Sequence, residues 1–164
     1  MAKNTEKQGE QKTNVMRLLD KEKIPYRHHC YADTDAVSGL EVAAVLGQDI
    51  DRVFKTLVAV GRSGEHYVFV VPVSRELDLR KAAKTVNEKS VEMIKAKELL
   101  PLTGYIHGGC TPIGMKKRFT TVVDESASGK DTIFVSAGKI GYQIEIIPDD
   151  LRRIIPFLFA DITE

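Results

Sequence analysis

The sequence predicts an α+β (mixed α/β) fold, with one domain in which helices cover a central, twisted, mixed β-sheet. Three observations predict this fold class. A chain of 164 residues suits one sizeable core. Strand-like and helix-like segments are interspersed along it, joined by hairpin turns as well as helical crossovers. Neither a repeat nor a change in composition marks a linker, so we expect a flexible polar tail over residues 1–12 and one domain over 13–164.

The two helices predicted first have clear start and stop signals. Residues 13–23 place apolar side chains at helical spacing, and Thr13 can cap the segment. Pro25 ends it, because proline disfavours helical geometry in the residue before it. After a short predicted strand over 26–32, a helix over 38–47 begins with an S-x-x-E capping box and ends at a glycine.

The middle of the chain predicts a hairpin followed by a helix. Two apolar segments, 53–61 and 66–73, flank the turn-forming sequence GRSGE and are typical of paired strands. Residues 77–87 have an apolar face at helical spacing. A short strand over 90–93 and a short helix over 95–100 follow.

The last third predicts mainly strands. Residues 104–118 are expected to begin as a strand and then open into a loop. Three further strands are predicted over 119–123, 131–136 and 142–147. Pro148 stands where a helix starts, and a short helix ends the prediction.

Composition limits the classes of function. The chain has 24 basic and 23 acidic residues, so a net charge of +1 gives no global attraction to nucleic acid. No secretory signal or membrane-length apolar segment is present, and we expect a cytoplasmic protein with no membrane contact. Cys30 and Cys110 are therefore expected to be free thiols. The Cys and His spacing suits no zinc site, and we expect neither metal nor cofactor.

Lys55 interrupts the apolar segment VFKTLVAVG, and the sequence places no acid beside it. In a strand, Lys55 shares one face with Leu57 and Ala59. Burying an unpaired ammonium group is costly, so the side chain must reach water or a cleft. Two interpretations remain open: an edge lysine that opposes aggregation, or a lysine at the floor of a pocket, aimed at an acyl oxygen or a phosphate.

Two glycine-rich stretches could bind a ligand, GGCTPIG over 108–114 and SAGKIG over 136–141. Paired glycines allow the backbone to approach a ligand closely and to direct N–H groups at an oxyanion. On loop chemistry alone, the favoured interpretation of either stretch is a tight connection between strands. SGKDT over 128–132 is not a phosphate loop, because Asp124 and Asp131 stand where that motif needs glycine and serine or threonine.

The basic cluster of Lys116, Lys117 and Arg118 follows the first glycine stretch directly. Three basic residues are usually solvated surface, but beside a ligand loop they could hold a phosphate backbone. Cys110 could be a nucleophile with His107 as its base, or simply a small buried apolar residue.

Taken together, these stretches resemble the YbaK family of free-standing aminoacyl-tRNA editing proteins, which are similar to the editing domain of bacterial prolyl-tRNA synthetases. The resemblance runs in order from about Val15 to Ile162, and its motifs are VFKTLV (53–58), LDLRKAAK (77–84), TGYIHGGCTPIGMKKR (103–118) and TIFVSAGKIG (132–141). It implies the fold of that editing domain, over residues 13–164.

The resemblance implies trans-editing: hydrolysis of misacylated tRNA, in particular deacylation of Cys-tRNA(Pro). The implied catalytic residue is Lys55. The residues implied or predicted to bind the substrate are Tyr31, Thr56, Gly108, Gly109, Thr111, Ser136 and Gly138. Proline tRNA and prolyl-tRNA synthetase are the expected partners. The alternative is a non-catalytic module that binds a nucleotide or an oligonucleotide in the same cleft.

Four residues depart from the family pattern within the glycine motifs: His107, Cys110, Thr111 and Ala137. Each can alter the size of the pocket, so the amino acid that is removed is less closely defined than the reaction. The motifs also leave open whether water or the thiol of a cysteinyl substrate attacks the ester.

Overall fold

A computed structural model of the chain describes residues 12–164. The predicted tail over 1–12 lies outside the described residues, except for Lys12. Five α-helices occur in the described part, and we number them α1 (Asn14–Lys21), α2 (Gly39–Leu46), α3 (Leu79–Thr85), α4 (Ala96–Thr103) and α5 (Pro148–Ile154). Eight strands accompany them, namely β1 (Arg27–Cys30), β2 (Phe54–Gly61), β3 (His66–Pro72), β4 (Val91–Met93), β5 (Thr120–Asp124), β6 (Ile133–Ser136), β7 (Tyr142–Ile146) and β8 (Leu158–Ala160).

The predicted helix caps are present. The Thr13 hydroxyl accepts a hydrogen bond from the Met16 N–H at the start of α1. Ser38 and Glu41 form the predicted capping box of α2, and Gly47 ends that helix in the left-handed conformation. Pro148 occupies the first turn of α5 as predicted.

The strands are divided between two sheets. One has five strands in the order β4-β2-β3-β5-β8, and the other has three in the order β1-β7-β6. In the first, β4, β2 and β3 are antiparallel, whereas β3, β5 and β8 are parallel. The fold class is therefore confirmed as a mixed α/β domain, with its strands in two sheets where the sequence suggested one central sheet.

The five-stranded sheet is covered on both faces. On one face Ala59, Phe69 and Val71 pack with Ala82 and Ala83 of α3. The other face packs against the three-stranded sheet together with α1 and α5, in a cluster that includes Val15, Val58, Val70, Val135, Ile144 and Leu151. The side-chain alternation predicted for β2 thus holds, because Ala59 and Val58 lie in different clusters.

Two further parts of the prediction were wrong. No strand begins at residue 104, since Gly104 ends α4 at a φ of 88° and turns follow. Thr103 holds both ends of the loop: its hydroxyl accepts from the Tyr105 N–H and its carbonyl from the Lys116 N–H. Strand β8 was missed, because a three-residue strand is defined by its pairing with the distant β5 and not by a local pattern.

Candidate functional site

A cleft of about 320 Å³ opens where the two sheets separate. Val53, which directly precedes β2, forms an isolated parallel bridge with Phe134 of β6, and the two strands otherwise belong to different sheets. Beyond this point the outer edge of β2 stays unpaired until Val58, whose carbonyl accepts from the Ile94 N–H. Backbone groups alternate sides along an antiparallel strand, so those of Thr56 point from the open edge toward the cleft.

The cleft brings together most of the side chains and glycines that the sequence singled out. Those that line it are Tyr31, Lys55, Thr56, His107, Gly108, Cys110 and Ser136. Of the other predicted binding residues, Gly109, Thr111 and Gly138 do not line the cleft, although each is next or second in sequence to a residue that does. The Lys55 cation and both glycine-rich stretches therefore meet at one hollow.

The Lys55 side chain is 31% exposed, and its Nζ lies 3.6 Å from Oε2 of Glu76. This acid is absent from the sequence neighbourhood and is supplied by the chain after β3, because the hairpin register pairs Phe54 with Pro72. Glu76 is 75% exposed, and ion pairs in such open positions are weak. A ligand anion or a polarised carbonyl can therefore compete for the ammonium group.

Thr56 contributes a buried hydroxyl with no hydrogen-bond partner among the described residues. A buried polar group without a partner costs about 1–3 kcal/mol. Since Thr56 lines the cleft, a bound ligand can supply the missing partner. The Thr111 hydroxyl is also unpartnered within residues 12–164, but this residue is fully buried behind the cleft wall.

The loop at Gly108 requires glycine for two reasons. Its φ is 89°, and a Cβ there would lie 2.9 Å from Cγ1 of Val37. At Gly109 a Cβ would lie 3.3 Å from the backbone nitrogen of Ile140, so the two glycine-rich stretches pack against each other. The expectation that both N–H groups are available to an oxyanion needs a correction, because the Gly109 N–H donates to the Ile106 carbonyl.

Ser136 is fixed by the second glycine stretch. Its Oγ accepts a hydrogen bond from the Gly138 N–H, at 3.1 Å, while Gly138 has a φ of 94° and lies against Tyr105 and Val15. The Ser136 oxygen therefore accepts one hydrogen bond from the protein, and its hydroxyl proton remains available for donation to a ligand in the cleft.

Tyr31 and Gln143 form a buried polar wall of the cleft. Tyr31 is 4% exposed, and burial raises the pKa of its phenol, so the hydroxyl stays protonated at neutral pH. The Gln143 side chain exchanges two hydrogen bonds with the Gln48 amide, at 2.7 and 3.0 Å. Sequence reasoning missed Gln143 and Glu76. Glu76 could have been found, because pairing the strands across the GRSGE turn places the end of β3, and the residues after it, beside Lys55. No local sequence signal indicates that Gln143 lines the cleft.

Cys110 lines the cleft but is not arranged as a nucleophile. The residue is 9% exposed, and burial raises the pKa of its thiol to about 12. A thiolate, the nucleophilic form, is therefore absent at neutral pH. His107 also lines the cleft, but the hydrogen bonds that act on the Cys110 thiol among the described residues come from Thr103 and Thr111 and not from His107.

We expect Cys110→Ala to retain activity within about threefold, because a neutral thiol contributes little beyond packing. The measurement is kcat/KM for ester hydrolysis between pH 6 and pH 9.5. The ordinary pKa of a cysteine thiol is about 8.5. Because burial raises the pKa of Cys110 above this value, kcat/KM of the wild-type enzyme should show no increase due to thiolate formation as the pH passes about 8.5. A loss of activity above 100-fold in a folded Cys110→Ala variant would restore the nucleophile hypothesis.

The basic cluster does not belong to this cleft. Lys117 and Arg118 line a separate hollow with Leu18 of α1 and Pro156. The Lys116 ammonium lies 3.5 Å from the Pro101 carbonyl at the end of α4. Any contact of these residues with a ligand in the cleft therefore needs a ligand that extends well beyond it.

The described residues contain neither a cluster of metal ligands nor a membrane-spanning helix. Within residues 12–164, no group of three or more His, Cys, Asp or Glu side chains is placed to hold a metal ion. None of the helices in the same range is both long and apolar enough to cross a membrane.

One cation, several hydroxyl groups and a glycine loop converge on a partly apolar cleft, an arrangement typical of a domain that binds or transforms a small acyl group. A family model for the aminoacyl-tRNA editing domain matches residues 34–154. The chain belongs to the aminoacyl-tRNA editing domain family, which confirms the family suggested by the sequence motifs.

Individual relatives support this assignment. The chain is 46% identical over 158 residues to EbsC of Enterococcus faecalis, provisionally named a Cys-tRNA(Pro)/Cys-tRNA(Cys) deacylase, and 96% of each protein is covered. It is 30% identical over 108 residues to the proline–tRNA ligase of Pelobacter propionicus, covering 66% of this chain and 19% of the ligase. A crystal structure provisionally titled a trans-editing enzyme for prolyl-tRNA synthetase superposes with a TM-score of 0.78 and 25% identity, covering 93% of this chain and 98% of that one.

Proposed function

We propose that this protein hydrolyses misacylated tRNA in trans, with Cys-tRNA(Pro) as its principal substrate. The observation that carries the proposal is the position of Lys55 in a cleft shared by both glycine-rich stretches. The similarity to EbsC, over 96% of both chains, supports the same reaction class and substrate. Translation takes place in the cytoplasm, and we expect the protein to act there on tRNA released by prolyl-tRNA synthetase.

In the proposed reaction the aminoacyl ester lies along the open edge of β2. The Lys55 ammonium group and the Gly108 backbone N–H stabilise the negative charge that develops on the carbonyl oxygen. The Ser136 hydroxyl and the Thr56 hydroxyl orient the aminoacyl group, and Tyr31 closes the wall behind it. Gly109, Thr111 and Gly138 hold these groups in place from outside the cleft.

An aminoacyl ester is already activated, so stabilisation and orientation suffice without a protein nucleophile. When water attacks, the ester C–O bond breaks, the amino acid is released, and the 3′ oxygen of the tRNA leaves with a proton. When the thiol of a cysteinyl ester attacks its own carbonyl, a C–S bond forms, the same C–O bond breaks, and the 3′ oxygen of the tRNA leaves with the thiol proton. Water then opens the cyclic thioester and releases cysteine. Packing alone distinguishes one small side chain from another by only about 1–3 kcal/mol, and the thiol route would give sharper selection.

The thiol route predicts different single-turnover rates for cysteinyl, alanyl and seryl esters on proline tRNA. We expect the cysteinyl ester to be hydrolysed more than about 200-fold faster, beyond the range that packing differences give. Quantification of the remaining aminoacyl-tRNA over time measures this. Equal rates for the three esters would show that water attacks directly and that the substrate thiol takes no part.

The basic cluster is a proposed contact with the tRNA backbone. A protein with a net charge of +1 should bind tRNA weakly and depend on local cations. We expect replacement of Lys116, Lys117 and Arg118 by alanine to weaken tRNA binding and to flatten its dependence on salt. The slope of log K against log[salt] should fall by about 0.7–0.9 for each phosphate contact that is lost. An unchanged slope would place the tRNA backbone elsewhere on the protein.

The alternative function, a non-catalytic module that binds a nucleotide or an oligonucleotide, predicts binding without turnover. The two functions are separated by measuring deacylation of Cys-tRNA(Pro) by the wild-type protein and the Lys55→Ala variant. Turnover by the wild type that is lost in the variant supports the deacylase, whereas tight binding with no turnover in either protein supports the module.

A further inference from the structure

A second concavity, an open groove of about 640 Å³, lies between α3 and the segment that leads into β4. It contains none of the residues that the sequence singled out for chemistry. Three exposed cations line it, Arg80, Lys84 and Lys89, together with the polar residues Asn87 and Ser90. We call this surface the α3 groove.

The cations of the α3 groove are not neutralised by the protein. None of these three cations, Arg80, Lys84 and Lys89, forms an ion pair with an acidic side chain within residues 12–164. Lys81, which lies between them in sequence, behaves differently, because its ammonium group binds the Asp161 carboxylate at 3.0 Å. Arg80 and Lys84 are four residues apart on α3, so they lie on one face about 6 Å apart along the helix axis.

Glu88 is the one acid that lines the α3 groove in the described part of the chain, and its carboxylate is already engaged. It accepts hydrogen bonds from the Ser63 N–H, the Ser63 hydroxyl and the Tyr67 hydroxyl on the β2–β3 hairpin. Gly61 leaves room for this contact, because a Cβ there would lie 2.2 Å from Cδ of Glu88. The groove therefore presents an excess of positive charge to solvent.

The α3 groove begins beside the cleft. Glu76, which lines the cleft and pairs with Lys55, is three residues before Leu79, which starts α3 and lines the groove. Three residues span at most about 11 Å, so these two lining residues, one from each concavity, lie within that distance of each other. Arg80 directly follows Leu79, and Lys84 lies about one helical turn further along α3.

We propose that the α3 groove binds the sugar–phosphate backbone of the tRNA acceptor arm while the aminoacylated 3′ end occupies the cleft. This inference rests on the proposed function, because it takes the substrate to be a tRNA. Arg80, Lys84 and Lys89 provide the cations, and the Asn87 and Ser90 side chains can donate to phosphate oxygens. The contact carries no base specificity and contributes affinity and orientation.

The experiment measures equilibrium binding of deacylated proline tRNA across a series of salt concentrations, for the wild type and for Arg80→Gln/Lys84→Gln. We expect the slope of log K against log[salt] to fall by about 1.4–1.8 in the variant, the loss of two phosphate contacts. Glutamine has a helix propensity close to those of lysine and arginine, and α3 is anchored by the buried Ala82 and Ala83, so the fold should be retained. Thermal unfolding checks this.

The matched control is Arg17→Gln/Lys21→Gln, which removes the same two residue types at the same spacing from exposed positions on α1. Its salt slope should equal that of the wild type. An unchanged slope in the α3 variant, or an equal fall in both variants, would overturn the proposal.

Hydrolysis separates this proposal from the proposed function. In the α3 variant, KM for cysteinyl-tRNA should rise while turnover of a cysteinyl ester of adenosine, which has no phosphate, stays unchanged. A variant that loses both activities equally would overturn the groove assignment. Failure of the wild type to hydrolyse either ester would contradict the proposed function, and the binding slopes would still decide whether the α3 groove holds the backbone.

Discussion

Lys55→Ala is expected to lower kcat for deacylation of Cys-tRNA(Pro) by about 10²–10³-fold, the usual cost of removing one group that stabilises an oxyanion. The physical reason is the position of its ammonium group at the open edge of β2, where the two glycine-rich stretches and the Ser136 hydroxyl also meet. The fall should appear mainly in kcat, because the proposed contact strengthens as charge develops on the carbonyl oxygen.

The fold should survive the loss of Lys55. Its side-chain ion pair in the described residues is the one with Glu76, and exposed pairs of this kind contribute about 0–1 kcal/mol. We therefore expect the free energy of unfolding to change by less than about 1 kcal/mol. Chemical denaturation measures this change, and single-turnover hydrolysis measures the activity.

Two comparison variants make the Lys55 result specific. Lys55→Met keeps most of the alkyl stem but not the charge, so it should be as inactive as Lys55→Ala. Lys97→Ala removes an exposed lysine from α4, outside the cleft lining, and should be fully active. Near-normal turnover by a folded Lys55→Met variant would show that the ammonium group is dispensable and would refute its assigned role.

Gly108→Ala should cause the second large effect, a loss of activity of about 100-fold or more together with reduced stability. A side chain at a φ of 89° is strained, and the left-handed region costs about 1–2 kcal/mol for residues other than glycine. The new Cβ would also lie 2.9 Å from Cγ1 of Val37 and 3.4 Å from Cγ1 of Ile140. The loop must shift to relieve these contacts, and its backbone N–H then leaves its position in the site.

Other glycines of this chain provide matched controls. Gly47 has a φ of 65°, and no atom lies within 4 Å of the position that a Cβ would take there. Gly47→Ala should therefore lower stability by backbone strain alone and leave activity unchanged. Gly129 does not have a left-handed φ, and no atom lies within 4 Å of the position of an added Cβ. Gly129→Ala should therefore change neither stability nor activity. If Gly108→Ala matched Gly47→Ala, with reduced stability and full activity, the loop would have no direct part in the reaction.

The sequence was most informative where local chemistry decides the structure. Helix α2 could be predicted in full, because a capping box and a left-handed glycine act within a few residues of each other. The β2–β3 hairpin followed from two apolar segments and a turn. The ordered set of motifs around Lys55, Gly108 and Ser136 was sufficient to indicate the family.

The sequence failed where pairing over long distances decides the structure. It suggested a single sheet, because nothing in β6 or β7 indicates that these two strands form a separate sheet with β1. It also supposed that both Gly108 and Gly109 offer a free N–H, whereas the loop turns back on itself and engages the Gly109 N–H with Ile106. Gln143 entered the site only through strand pairing with β1 and β6, which carries it to the cleft.

The sequence by itself determined which residues are unusual: a lysine in an apolar strand, two glycine-rich stretches and a serine at the end of a strand. Their meeting in one cleft was decided by the tertiary structure, since it depends on how the two sheets pack where Val53 bridges to Phe134. The same folding brings Glu76 to Lys55 and lays the α3 groove beside the cleft. Residue type and turn chemistry are local properties, whereas the distance between two sheets is set by the packing of the whole core.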